Sequence, residues 1–276
     1  QAFVFVQLLH MSVFSQSFSP CGRYLAAGNN YGEIAVFSLS AALSPDASER
    51  SQKPILNFTA HDGPVFSLLS TESHLLSAGN GEISAWSWAE LIKKVGRVLP
   101  GTSLEIPEIN AMIINPKDNN LIVGGGDNNI HIMDMETGTF KSVLKGHTDY
   151  IHCLSFKERE GEILSGGEDG AVRIWDSRTN RPVHCIEVFK YEECARPQFG
   201  KWISCLATDS DWMLCGGGPS LSLWHLRSMS PTSVFPLSGC QREAVFYQDL
   251  VMTVGGSSHQ IDVFTNFSYR AFSLSF

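Results

Sequence analysis

Gly146-His147-Thr148-Asp149-Tyr150-Ile151, followed by Ile163-Leu164-Ser165-Gly166-Gly167-Glu168-Asp169-Gly170-Ala171-Val172-Arg173-Ile174-Trp175-Asp176, is the stretch that decides the fold of this chain. Asp169-Gly170 suits a tight hairpin turn that needs positive φ, and Ile163 and Leu164, then Val172 and Ile174, read as two short buried strands around it. Such a hairpin buries four polar or amphipathic side chains: His147, Ser165, Asp169 and Trp175. A polar network survives in an apolar interior only when every member is satisfied, so His147 is expected to bond Asp169 and Ser165 to accept from the Trp175 indole N–H. All four are assigned to the scaffold.

The same pattern returns along the chain. An aromatic residue or methionine stands at the end of the third strand of each copy, at Phe37, Trp86, Met133, Trp175, Trp224 and Phe264, with separations of 49, 47, 42, 49 and 40 residues. These bracket a repeat of about 40–45 residues with loop insertions. The second copy keeps His61, Ser77 and Trp86 as a partial set and puts Asn80 where the aspartate would stand. The others keep a glycine-bearing hairpin, at Ala27-Gly28-Asn29, Gly124-Gly125-Gly126, Gly216-Gly217-Gly218 and Gly255-Gly256. Six copies in register specify an all-β chain, a WD-repeat β-propeller. Residues 1–276 are read as one propeller domain, with residues 1–10 as a short N-terminal extension suited to docking.

Composition agrees. Hydrophobic residues make up 43% of the 276 and charged ones 17%, too apolar for a disordered chain, and no run approaches the roughly 18 apolar residues of a membrane span. Phe3-Val4-Phe5-Val6-Gln7-Leu8-Leu9 has neither the basic region nor the small-residue cleavage site of a signal peptide. The seven cysteines are odd in number and lack a C-x-x-C pair, which points to a reducing compartment, cytosol or nucleus, and away from a structural zinc site. No metal or cofactor is expected. The net charge of −8 disfavours a large nucleic-acid platform, although Arg23, Lys93, Lys94, Arg97, Arg178 and Arg181 form local basic spots.

Catalysis has little support. The glycine clusters lead into strands, whereas phosphate-cradling loops open helices. His152 beside Cys153, and His184 beside Cys185, would point to opposite faces of a strand, so neither pair forms a base–nucleophile dyad. Recognition is expected in the loops that ride on the scaffold. Residues 44–54 are polar, bounded by prolines, and read as a linker. Residues 88–98 begin with a helical turn carrying a Glu90–Lys94 pair. Residues 189–202 mix aromatics with both charge signs, and Tyr191, Arg196, Phe199 and Trp202 are the candidate partner-binding residues. Trp202 is equally readable as the start of the next inner strand.

The runs Ser19-Pro20-Cys21-Gly22-Arg23-Tyr24-Leu25-Ala26-Ala27-Gly28-Asn29-Asn30-Tyr31-Gly32 and Lys145-Gly146-His147-Thr148-Asp149-Tyr150-Ile151-His152-Cys153 go beyond what the fold demands. With Cys205-Leu206-Ala207-Thr208-Asp209-Ser210-Asp211-Trp212-Met213 and the ending Val263-Phe264-Thr265-Asn266-Phe267-Ser268-Tyr269-Arg270 they resemble the WD-repeat subunit family of the THO transcription-export complex. The resemblance implies a nuclear, non-enzymatic scaffold subunit that supports oligomeric assembly and couples mRNA transcription, processing and splicing to export. The implied partners are the coiled-coil THO subunits five and seven, the other THO subunits and an associated DEAD-box RNA helicase, with RNA contacted indirectly. It also implies seven blades. A stretch of about one blade, roughly 40 residues, is therefore expected to be absent between Gly255 and His259, leaving those residues farther apart than the ~3.6 Å per residue that a chain can span. Two other readings stay open: a peptide reader that takes a histone tail or degron in the central channel, and a propeller that binds RNA directly.

Overall fold

The computed structural model describes residues 11–48, 50–51, 53–93, 98–103, 107–237, 239–247, 250–255, 260–265 and 269–275. They form six four-stranded antiparallel sheets. The first holds β1 (Val13–Phe18), β2 (Tyr24–Asn29), β3 (Glu33–Ser38) and β4 (Leu56–Thr59). The second holds β5 (Ser67–Ser70), β6 (His74–Ala78), β7 (Glu82–Ser87) and β8 (Val98–Ser103). The third contains β9 (Ile109–Asn115), β10 (Asn120–Gly125), β11 (Asn129–Asp134) and β12 (Phe140–Lys145), and the fourth β13 (Ile151–Lys157), β14 (Glu162–Gly167), β15 (Ala171–Asp176) and β16 (Arg181–Glu187). The fifth contains β17 (Ile203–Asp209), β18 (Trp212–Gly217), β19 (Ser222–His225) and β20 (Ser230–Val234), and the sixth β21 (Gln241–Tyr247), β22 (Leu250–Gly255), β23 (Gln260–Thr265) and β24 (Tyr269–Ser275). Two short helices, α1 (Leu39–Ala42) and α2 (Trp88–Ile92), follow third strands; Ser38 caps α1, and α2 buries Trp88 and Leu91. The chain divides into two compact units, residues 1–112 and 113–276.

Each residue picked from the repeat spacing falls in a third strand: Phe37 in β3, Trp86 in β7, Met133 in β11, Trp175 in β15, Trp224 in β19 and Phe264 in β23. All but the half-buried Phe37 are buried. The pairing of third with fourth strands shifts register at or beside this position in five sheets, at Ile83/Ala85, Ile132/Met133, Ile174/Trp175, Leu223/Trp224 and Val263/Phe264. Gly170 makes the β14–β15 turn at φ +80°, a conformation that a side chain would strain.

The described residues build six sheets, one fewer than the seven blades that the resemblance implies, and the strand break expected after Gly255 is not found. β22 and β23, assigned there to different blades, are hydrogen-bonded neighbours, with Val254 opposite Ile261. The flanks of the expected break are thus cross-strand partners; Gly256 and His259 lie outside the described residues, as does the extension at residues 1–10. An edge left open on β22 would present a row of unpaired N–H and C=O groups, and β23 with β24 supplies the missing half of a sheet.

Neighbouring sheets interlock at glycine. Val65 precedes β5 and packs on Gly28 of β2, Ile151 of β13 packs on Gly124 of β10, and Ile203 of β17 packs on Gly166 of β14. A β-carbon at these glycines would stand 2.6–2.8 Å from the facing Val or Ile side chain. The space exists because the strand carries no side chain there.

Within the fourth sheet the polar residues meet around one hydroxyl. The Trp175 indole N–H donates to Ser165 Oγ at 2.9 Å, so the serine's own hydrogen goes to His147 Nε2 at 2.7 Å. This leaves His147 Nδ1–H to donate to the Asp169 carboxylate at 3.0 and 3.1 Å. Asp169 also accepts from the Thr148 and Ala171 N–H groups. Burial works to raise the Asp169 carboxyl, yet the His147 bond and the two backbone N–H groups outweigh it and hold it at about 2.

The second sheet repeats half of this arrangement. Trp86 donates to Ser77 at 2.9 Å, and Ser77 bonds His61 Nε2 at 2.8 Å. Asn80 turns its carbonyl oxygen to the Glu108 N–H instead. His61 Nδ1 is buried with no hydrogen-bond partner, and the nearest acidic oxygen, on Glu82, is 3.9 Å away. Burial lowers the His61 pKa, with Glu82 opposing. In the fifth sheet Cys215 occupies the serine position of the second strand, and the Trp224 indole finds its hydroxyl on Ser222 of β19, at 2.8 Å.

Two outcomes follow from these networks. Trp175→Ala is expected to cost about 3–5 kcal/mol of unfolding free energy and to show in the chemical denaturation midpoint before any binding is lost; a variant that melts normally would remove Trp175 from the scaffold. Stability should also fall in two stages on acidification. Below about 6.5 the unfolded chain takes up a proton that buried His61 refuses, and from about pH 4 down to 2 the unfolded state protonates a carboxyl that Asp169 keeps ionised, worth on the order of 2 kcal/mol. Denaturation titrations should show the upper stage flattened in His61→Gln and the lower one in Asp169→Asn. Unchanged pH slopes in both variants would contradict this.

Candidate protein-docking site

The segment at residues 188–202, between β16 and β17, belongs half to the core. Val188 and Cys194 are fully buried and join Ile174, Ile186, Ile203, Cys215 and Trp224 in one apolar cluster. Tyr191 sets its ring edge-on to Trp224, with centroids 4.8 Å apart and planes at 84°. Two single 3₁₀ turns, Val188–Lys190 and Pro197–Phe199, shape the segment.

Arg196 pins it down. Its Nε donates to the Gly218 carbonyl at 3.0 Å, Nη1 to Leu237 and Gly239 at 3.3 and 3.1 Å, and Nη2 to Gly217 and Pro219 at 3.1 Å each. The guanidinium therefore ties the insertion to the turn after β18 and to the connection before β21. Burial pulls its pKa below the usual value. The planar fork of five donors suits this use, which a lysine could not reproduce.

The outer side is a shelf of aromatic rings. Phe199 is 38% exposed and lies 4.8 Å under the Arg196 guanidinium. Trp202 is half-buried; its indole N–H donates to the Phe199 carbonyl at 2.8 Å, and its own carbonyl accepts from the Gly218 N–H at 2.9 Å. Phe189 carries the Lys201 ammonium 5.6 Å above its ring. Both rest against Gly170, where a β-carbon would come within 2.8 Å of Phe189 and 3.0 Å of Lys201. Tyr150, 42% exposed, continues the surface, its carbonyl accepting from the Glu168 N–H.

Of the four residues singled out on the sequence, Tyr191 and Arg196 are turned to the interior and Phe199 and Trp202 face outward. Phe189 and Lys201 fall inside the segment 189–202 singled out on the sequence without being named among its four candidates, and Tyr150 was missed. Tyr150 had a signal, an aromatic in the loop beside the buried His147. What the sequence did not show is that Phe189 and Lys201 meet on the Gly170 turn, because only the fold brings both there.

The remaining chemistry is sparse. His152 bonds Glu168 at 2.7 Å, and burial pushes the adjoining Cys153 thiol far up. The exposed Cys21 thiol is held at about 7 by hydrogen bonds with Ser19 and then Arg23. Among the described residues, no group of three or more His, Cys, Asp or Glu side chains could hold a metal ion. Arg178 and Arg181 share the β15–β16 hairpin while Lys93 follows α2, and Arg178 is paired with Asp176 at 3.1 Å; Lys94 and Arg97 fall outside the described residues.

Residues 89–235 match the family model of the Nucleolar protein 10-like N-terminal domain, a β-propeller. The chain is 82% identical over 320 aligned positions to the THO complex subunit 6 homolog of Danio rerio, with 98% of this chain and 99% of that protein covered. It is 54% identical over 327 positions to THO complex subunit 6 of Homo sapiens, covering 100% of this chain and 96% of that protein. The Drosophila melanogaster THO complex subunit 6 is 32% identical over 262 positions, covering 92% and 74%. This chain belongs to the THO complex subunit 6 family of WD-repeat β-propellers.

Proposed function

We propose that this protein is a non-enzymatic scaffold subunit of a nuclear THO assembly. It holds helical partner chains in place and so supports the coupling of mRNA transcription and processing to export. The observation that carries the reading is the shelf made by Phe189, Phe199 and Trp202 over a segment that Arg196 fixes from beneath. Rigid aromatic side chains beside cations are favoured interface anchors, and the outer face of a helix is a surface that such anchors grip.

The relatives' name supports placement in the same complex, and the coiled-coil pair of subunits five and seven is the partner that we assign to the shelf. The DEAD-box helicase and RNA are then reached through the larger assembly. A net charge of −8, with an acidic partner on Arg178, supports indirect contact with RNA.

Titration of the purified protein against the subunit five and seven pair, and against single-stranded RNA at near-physiological salt, tests this. Submicromolar binding to the pair and much weaker binding to RNA are expected. Joint replacement Phe199→Ala and Trp202→Ala should weaken partner binding by about 2 kcal/mol or more while the protein still melts in one cooperative transition well above the assay temperature. Submicromolar RNA binding without partner binding would overturn the scaffold reading, and full partner binding by the double variant would move the docking surface elsewhere.

A further inference from the structure

The β6–β7 hairpin turns through Asn80-Gly81, the one Asn-Gly pair in the 276 residues. The Gly79 N–H donates to the Glu82 carbonyl at 3.0 Å, and Gly81 sits at φ +84°. Asn80 is exposed and Gly81 half-buried. Asparagine is a thermolabile residue, and a following glycine makes it more so, because no β-carbon shields the glycine nitrogen from the side chain before it.

The turn has a place for the product of such a loss. Asn80 stands six residues before Trp86, as Asp169 stands six before Trp175, and Gly81 repeats the conformation of Gly170, at φ +84° against +80°. In the fourth sheet His147 Nδ1 donates to the Asp169 carboxylate at 3.0 and 3.1 Å. In the second, the Trp86 indole donates to Ser77, so the serine hydrogen goes to His61 Nε2 and the ring proton is left on Nδ1. That Nδ1 is buried without a hydrogen-bond partner, on a side chain that is 1% exposed, and a β-carbon on Gly79 would come within 2.8 Å of it. The Asn80 amide does not serve it: the oxygen accepts from the Glu108 N–H at 3.2 Å, and the nitrogen would set a donor against a donor. A carboxylate is the acceptor that a buried N–H bonds most strongly.

We propose that Asn80 is a site of spontaneous deamidation, and that the carboxylate it gains is the missing partner of His61. The Gly81 backbone nitrogen attacks the Asn80 side-chain carbonyl carbon. The new C–N bond closes a five-membered imide, the bond to the amide nitrogen breaks, and that nitrogen leaves as ammonia with the proton given up by Gly81. Water then opens the imide. Cleavage at the side-chain carbonyl restores the main chain and leaves an aspartate; cleavage at the main-chain carbonyl leaves an isoaspartate, whose extra backbone carbon does not fit the Gly79–Glu82 closure. Water is the only co-reactant, and nothing is oxidised or reduced. In the closed turn the Gly81 N–H donates to the Gly79 carbonyl at 3.2 Å, so attack waits for local opening of the hairpin. The change is therefore slow, and marks the age of a chain.

Incubation of the folded full chain at mildly alkaline pH, followed by peptide mass spectrometry, tests the reaction. The peptide carrying Asn80 is expected to gain the deamidation mass well ahead of the peptide carrying Asn180, a likewise exposed turn asparagine that arginine follows. Asn80→Asp tests the consequence. Its thermal midpoint is expected to lie a few degrees above that of the parent, and the difference to vanish when both proteins also carry His61→Gln, which is the coupling that a double-mutant cycle isolates. An Asn80 that keeps its amide as long as Asn180 does would overturn the modification site. No rise in Asn80→Asp, or a rise that survives His61→Gln, would overturn the pairing with His61.

Discussion

The contact on which the stacking of sheets depends is that of a β-branched side chain with the backbone of a glycine. Val65 on Gly28, Ile151 on Gly124 and Ile203 on Gly166 are repeats of one arrangement, each with no room for a further carbon. Burying such a side chain is worth about 1.5–3 kcal/mol, and crowding the notch with an added methyl or larger group costs a similar 1–3 kcal/mol. The two residue types are therefore coupled across sheets: a change on one side spoils the fit of the other. This contact fixes how far one sheet stands from the next, and the loops at the sheet ends inherit that spacing.

Inside a sheet a different demand operates. An indole N–H buried beside the third strand needs an acceptor, and the fold tolerates more than one source. Ser77 and Ser165 provide it from second strands, while in the fifth sheet, where Cys215 stands at that position, Ser222 provides it from the third strand. The histidine and aspartate are the more expendable members. The second sheet keeps His61 with an unpartnered Nδ1, and the fifth has no histidine in the arrangement described. A neutral imidazole with one unpaired N–H costs about 1–3 kcal/mol, which a sheet of this size can absorb.

The spacing of Trp86, Trp175 and Trp224 was legible because the repeat length and the hairpin chemistry both point to the same strand, so two local signals agree. The four residues grouped around Ser165 were legible for the same reason, each being polar or amphipathic at a position that alternation buries. Ser222 was not, since its hydroxyl replaces one two residues before the aromatic instead of nine or ten. Arg196 was not either: in sequence it is a charged residue in a loop of mixed charge, and nothing local reveals that five carbonyls from two other connections converge on it. The pairing of β22 with β23 was misjudged because resemblance assigns strands by ancestry, whereas hydrogen bonding assigns them to whichever complementary edge lies within reach.

The Arg196 clamp bears on the kinetics of encounter as well as on shape. A loop that must order itself on binding loses about 0.5–1.5 kcal/mol for each immobilised side chain and slows association while it searches. Here that entropy has been surrendered during folding, since Phe199 and Trp202 are fixed by the guanidinium and by backbone bonds before anything arrives. Docking at the shelf, as proposed, would be close to rigid-body capture, and variation in affinity would then reside in how slowly a partner leaves.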